Sequence, residues 1–191
     1  MILVVDAVVM SLVCGLLTGG RFASLTRFRL RAEPLLLGSL VAQAILPRVL
    51  PVGVVDDLVA TYALWVLPAL MVMSVLLVNG RHPGLAVAAA GIGLNLLVVL
   101  ANGGMPVLES AAGQVGIPIG SMARHLAESW LHIQADHNTR LLVLADVLPI
   151  PGPAWHSGLA SLGDVFFATG IGHFLFSHMH SYSVHSCGDS E

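Results

Sequence analysis

The sequence predicts an all-α membrane protein, a bundle of about five transmembrane helices with a re-entrant or interfacial segment before the last. Three observations carry this. Of 191 residues, 56% are hydrophobic and 10% charged, with a mean hydropathy of +0.86; a soluble domain carries roughly 25% charged residues. The apolar residues gather into runs close to the roughly 20 residues a helix needs to span a bilayer. The polar residues fall between those runs, in short turns and one long segment. Length and composition thus place the chain among membrane proteins, with a single domain over 1–178 and a flexible His/Ser-rich tail over 179–191.

Each element follows in order. The first span covers 1–19. It has no positive n-region, carries Asp6 instead, and shows no small-x-small cleavage site, so it is expected to be a retained helix and not a signal peptide. Gly15 and Gly19 stand at G-x-x-x-G spacing, which lets helices approach closely. A basic loop follows, "RFASLTRFRLRAE". The second span, 34–52, opens at Pro34, where the missing N–H is harmless; it carries Gln43 and Arg48, and Pro47 and Pro51 kink or end it. Asp56 and Asp57 mark the turn into the third span, 58–78, with Pro68 near its middle. "NGRHPG" is a turn by composition. The fourth span, 84–102, offers Ala86/Ala90 and Ala89/Gly93 for close packing and holds the polar Asn95 and Asn102.

Residues 103–157 break the pattern with Gly, Pro and His. Within them "SMARHLAESWLHIQADH" suits an amphipathic helix at the interface. "TRLLVLADVLPI" has about 12 residues before Pro151; at 1.5 Å each they reach roughly 18 Å, short of a 30 Å core, so the stretch should be re-entrant or half-buried. The last span is 158–177, followed by "HMHSYSVHSCGDSE".

All eight basic residues are Arg, and five of them (Arg21, Arg27, Arg29, Arg31 and Arg81) fall in the first and third loops. Positive loops stay cytoplasmic, which puts the N-terminus and segment 103–157 outside and the tail inside. A net charge of −3 with no basic tract speaks against a nucleic-acid partner. Cys14 and Cys187 stand in such different settings that no disulfide framework is expected.

"RFASL" with Arg27 and Arg31 after it, "GLN" in the fourth span, "NGGMPV" at 102–107, "TRLLVLADVLP" and "SLGDVFFATG" together resemble an uncharacterised family of small bacterial multi-pass membrane proteins. The resemblance implies a bacterial plasma-membrane protein. It brings no activity.

The candidate site rests on two acids in nearly the same frame, Asp146 in "LLVLADVLPI" and Asp164 in "LASLGDVFFA". An Asp at the middle of a membrane helix costs about 2.5–3.5 kcal/mol, so it should face inward and be paired or protonated. The plainest expectation pairs these acids with Arg140, Arg124 or Arg48, or with the free amides of a broken helix. A second is a polar cavity completed by Gln43, Asn95 and Asn102, as in carriers built from interrupted helices. A third is a shared di-aspartyl site of the intramembrane peptidase kind. There the second acid sits in Gly-x-Gly-Asp; here Ser161 takes the first glycine's place. Arg21, Arg27, Arg29 and Arg31 are candidate contacts for anionic headgroups, at about 1 kcal/mol each, although the positive-inside signal already accounts for them.

His173, His178, His180, His185 and Cys187 match no metal-site spacing, and His125, His132 and His137 suit polar positions at the interface. No metal, haem or other cofactor is expected. "NGGMPV" is expected to end a helix, with Gly103 and Gly104 turning the chain. The function expected is non-enzymatic: binding of a ligand or another membrane protein through an intramembrane polar cavity. The alternative is a small or proton-coupled carrier using Asp146 and Asp164, and the peptidase is the third reading. The bilayer is the first partner; a second copy can meet the chain through small-residue helix faces.

Overall fold

Why the long apolar runs become helices is plain from their composition, and how each ends is a matter of a few residues. The computed structural model describes residues 2–49, 57–129, 131–153 and 155–181; Pro51, Asp56, His185 and Cys187 lie outside these. Helix α1 (Ile2–Leu17) closes in a Schellman motif: the Gly20 amide donates to the Gly15 carbonyl and the Gly19 amide to that of Leu16. Gly19 takes φ +89°, a conformation costly for a side chain. A 3-10 turn, Phe22–Arg27, leads to α2 (Glu33–Val49). Helix α3 (Leu58–Val78) widens into a π turn over Tyr62–Val66, directly before Pro68. Proline has no N–H to give and its ring crowds the carbonyl four residues back, and the wider turn absorbs both. Helix α4 (Leu85–Asn102) ends at Gly103, φ +77°, whose amide caps Val99.

Between α4 and the last helix the chain builds a small cap. Strand β1 (Met105–Val107) is wholly buried and pairs in parallel with β2 (His132–Gln134). On its other side Val107 bridges Asp146. Helices α5 (Glu109–Gln114) and α6 (Ile119–Ala127) lie over this strip, with Val107, Ala112 and Met122 packed together. Strand β3 (Leu148–Ile150) pairs antiparallel with β4 (Gly158–Ala160), and α7 (Leu162–His180) then crosses the molecule.

Helix α7 is the pivot. Along α4 the residues Gly84, Ala88, Gly91 and Asn95 face Gly163, Phe167 and Gly170 of α7 so closely that backbones touch. A Cβ on Gly91 would stand 2.5 Å from the Gly163 carbonyl oxygen. On another face of α7, Met179 packs against Gly15 of α1. The expected Ala86/Ala90 pair points outward instead: an all-apolar helix does not reveal its inward face, and glycine with asparagine marks it here.

The two ends of the bundle differ. At one, the Arg21 amide donates to Met179 O, and Asn79 holds the backbone of Arg31 by two 2.9 Å bonds. That gathers the first loop, the α3–α4 turn and the end of α7. The cap sits at the other.

Several expectations need correction. The structure is mostly helical, as expected, with four strands of three residues each among the described residues. Among the described residues two helices, Leu58–Val78 and Leu85–Asn102, are long and apolar enough to cross a membrane; Ile2–Leu17 and Glu33–Leu46 are apolar but shorter. Five full-length spans are therefore not supported. The fifth starts at Leu162 and not at 158, because Gly158–Ala160 pairs as a strand. The helix also runs past 177 to His180: His178 and His180 each bond, through Nδ1, the carbonyl four residues back at 2.9 Å, which keeps them helical and out of the tail. Residues 139–150 are half-buried, one of the two expectations for them, and they form a 3-10 turn, Leu142–Leu144, and extended chain. The interfacial helix is limited to Ile119–Ala127.

Candidate functional site

Asp164 owes its place to a local rule. Ser161 is the N-cap of α7 and accepts from the Asp164 amide at 2.9 Å, while the Asp164 carboxylate accepts from the Ser161 amide at 3.1 Å. This reciprocal capping box satisfies donors that a helix start leaves free, and the helix dipole favours a negative group there. The ring closes through α4. Ser161 Oγ donates to Asn95 Oδ1 at 2.8 Å, and Asn95 Nδ2 donates to Asp164 Oδ1 at 2.9 Å. Gly163 makes room, since a Cβ there would collide with the Asn95 amide. Asp164 finds no arginine: among the described residues the ion pairs are His132–Asp146 and His156–Asp6.

Beside this ring lies a cavity of about 440 Å³. Asp164, Asn95, Gln43 and Ser39 supply its polar wall; Leu40, Trp65, Ile92 and Phe167 supply much of the rest. The start of α1 and the β3–β4 hairpin close one side, through Ile2, Leu3, Ile150 and Leu159. Three residues expected of a polar cavity (Gln43, Asn95 and Asp164) thus line one space.

Asp146 lines a different one. Its cavity, about 430 Å³, lies under the cap between Val107, Met122, Leu126, Ser121 and His132, and Leu159 of β4 borders both cavities. Asp146 is buried, and its backbone is fixed by bonds to Pro106 O at 3.0 Å and from the Leu108 amide at 3.2 Å. Burial, and secondarily the negative charge of Asp164, push its carboxyl from 3.8 up to about 7. His132 Nε2 stands 3.6 Å from Oδ2, too far for a direct hydrogen bond. Ser129 aims that ring: its oxygen accepts the Leu131 and His132 amides, so its hydroxyl is left to donate to Nδ1 at 2.8 Å. The proton then sits on Nε2, facing the carboxyl.

The remaining candidates stand apart from both cavities. Asn102 joins Arg140 by a backbone clasp: its amide donates to Arg140 O at 2.9 Å and its oxygen accepts the Arg140 amide at 2.8 Å. Arg48 is exposed and bonds the Ala44 carbonyl of its own helix. Arg140 is exposed too. Pairing of the acids with Arg140, Arg124 or Arg48 is therefore replaced by histidine for Asp146 and by the helix cap for Asp164. Arg21, Arg29 and Arg31 are exposed at the end opposite the cap; the side chain of Arg27 lies outside the described residues. Asn79 and the His156–Asp6 pair, 2.9 Å apart between cap and α1, stand outside the expected site, and Ser161, expected only in a glycine's place, caps α7. Ser161 had a signal, the S-x-x-D pattern of a capping box. Asn79 shares one with Asn102, an Asn-Gly step at a helix end.

A family model described as a family of unknown function, DUF5317, matches residues 27–176. The chain belongs to that family. The match takes in α2, α3, α4, the cap and most of α7, hence every residue of both cavities except those of α1. No curated protein and no solved structure matches the chain.

Proposed function

We propose that this member of the DUF5317 family is a multi-pass protein of the bacterial plasma membrane that binds, without chemical turnover, a small amphiphile bearing a cationic or donor-rich head. The membrane part of the reading is supported by side chains that face away from the bundle. Val9, Val13, Leu37, Val41, Leu77, Leu97 and Leu100 are all roughly half exposed or more, while glycine sets the closest approaches between helices, at Gly91–Gly163 and Gly84–Gly170. Water would penalise such a perimeter and lipid would not. Five helices then cross or nearly cross, and the arginine-rich end lies in the cytoplasm.

The observation that carries the ligand class is the 440 Å³ cavity: apolar over most of its wall, polar at one corner, with a carboxylate there that has no cationic partner among the described residues. Ligand pockets have this size and this economy of polar groups, and a carboxylate held by two neutral donors and a helix start, but by no cation, still selects for positive charge or hydrogen-bond donors. Trp65 on the wall gives the test. In a variant keeping Trp65 as sole tryptophan (Trp130→Phe, Trp155→Phe), a brominated alkyl-ammonium should quench fluorescence saturably, and a brominated fatty acid of equal length should not. Equal quenching by both would sink the assignment of the head group.

Proton-coupled transport is a second reading, favoured by Asp146. A carboxyl titrating near 7 beside the cavity wall changes charge at physiological pH. It predicts that ligand release from proteoliposomes depends on a pH gradient.

A further inference from the structure

The end of the bundle away from both cavities holds a cluster that the amphiphile reading does not use. Asn79 is buried, and its side chain bonds Arg31 N, Arg31 O and Val75 O at 2.8–2.9 Å. This pins the segment around Arg31 against the α3–α4 turn, which carries Arg81 and His82. Phe28 is drawn inward with it and becomes a hub: its ring centre lies 4.9 Å from that of His82, 4.8 Å from His178 and 4.9 Å from Phe174. The two imidazoles are 5.3 Å apart. His178 uses Nδ1 on the Phe174 carbonyl, which keeps Nε2 for another partner. Arg31 and Arg81 are exposed beside them, and both described ion pairs lie elsewhere in the molecule.

Basic groups from three separate elements therefore converge around an aromatic hub. Burial first, and then the charges of His178, Arg81 and Arg31, hold the His82 imidazole below its usual range. Like charges brought this close cost energy unless an anion joins them. Two arginine forks suit the oxygens of one phosphate, and His178, whose Nδ1–H is spent on the Phe174 carbonyl, adds an Nε2–H donor in its imidazolium form, which the anion favours. We propose that Arg31, Arg81, His82 and His178 form a phosphate-binding site, taking a phosphate mono- or diester. A phospholipid headgroup of the adjacent leaflet and a soluble phosphate share that chemistry.

The test uses the full chain in detergent, delipidated, with phosphatidylglycerol and inorganic phosphate as probes and native mass spectrometry and thermal shift as readouts. The double variant Arg31→Gln/Arg81→Gln should weaken phosphatidylglycerol binding by about tenfold or more, the loss of one or two charge-assisted bonds. It leaves the Asn79 clasp intact, because that clasp holds only backbone at Arg31. The control Arg21→Gln/Arg29→Gln removes the same net charge from the same end and should bind as the wild type does. Retention of the lipid against millimolar inorganic phosphate identifies a headgroup site; displacement identifies a site for soluble phosphate. Equal losses in both double variants would reduce the effect to diffuse charge and overturn the proposal, as would undetectable binding of both probes by the wild type. The amphiphile cavity is at the opposite end, so Trp65 quenching reports separately on that reading.

Discussion

Replacing Asp146 by Asn should make this protein more stable at alkaline pH, although an acid buried beside a histidine looks like a stabilising pair. Raising its carboxyl from 3.8 to about 7 corresponds, at about 1.4 kcal/mol per pH unit, to roughly 4 kcal/mol. Below pH 4 the group is protonated in the folded and the unfolded chain alike and costs nothing. Between about 4 and 7 the unfolded chain releases the proton while the folded chain keeps it, so stability falls as pH rises. Above 7 the full cost persists. The neutral amide of the Asp146→Asn variant carries no such cost at any pH. The figure is a ceiling, since His132 at 3.6 Å offsets part of it whenever the imidazole is charged. The assay is the unfolding temperature of wild type and Asp146→Asn in one detergent from pH 4 to 9. The two curves should meet near pH 4 and diverge through neutrality, with the variant higher by at most about 16 °C at pH 8.5. A variant less stable than wild type at pH 8.5 would refute this reasoning and make the Asp146–His132 contact a net stabilising ion pair.

Two further substitutions probe the frame around the cavities. Gly163→Ala puts a methyl 2.6 Å from the Gly91 carbonyl oxygen and against the Asn95 amide; overpacking of this kind costs about 1–3 kcal/mol and should lower the unfolding temperature, whereas Gly113→Ala, with no atom within 4 Å of its Cβ, should be neutral or slightly stabilising. Asn79→Ala removes three side-chain hydrogen bonds at a buried position, which at about 1 kcal/mol each predicts a loss near 3 kcal/mol by denaturant titration. A loss no larger than for Asn102→Ala, which is only partly buried, would show that the clasp does not depend on burial.

Hydropathy made the helices legible, and local chemistry made some of their ends legible: the Asn-Gly steps and the glycines after α4. Gly19 reads as a close-packing partner of Gly15, yet nothing lies within 4 Å of where its Cβ would be, and it ends α1 instead. The limits of the last helix were not legible, because a residue's own character does not reveal its partner. Gly158–Ala160 reads as the start of an apolar run until β3 is there to pair with it. His178 and His180 read as tail until their Nδ1 atoms are seen on the helix's own carbonyls. The packing face of α4 was hidden for a related reason. When every side is apolar, the pattern carries no phase, and only the steric demand of α7 singles out Gly84, Ala88 and Gly91 over Ala86 and Ala90. In the site, Gln43, Asn95 and Asp164 could be gathered from their polarity alone. For Asp164 the free amides of a broken helix are among the partners the sequence suggests, and a helix start supplies one; for Asp146 charge suggests arginine and geometry supplies His132.

Asp164 has two roles that substitution can separate, and the separation decides how the cavity works. As a cap it needs acceptor oxygens for the Ser161 amide and for Asn95 Nδ2; as a ligand contact it needs negative charge. Asn keeps one acceptor oxygen and loses the charge, while Ala loses both. If the carboxylate serves only to cap the helix, Asp164→Asn should lie between wild type and Asp164→Ala in stability, the last about 1 kcal/mol or more below wild type, and ammonium binding measured by Trp65 quenching should follow the folded fraction. If it also holds the ligand, Asn and Ala should lose affinity alike, by roughly tenfold to a hundredfold for one charge-assisted bond, even where the Asn variant is fully folded. The cavity assignment requires the second outcome. Wild-type affinity in a folded Asp164→Asn protein would leave the acid as a cap alone, and the head group would then have to be sought at Gln43 and Ser39.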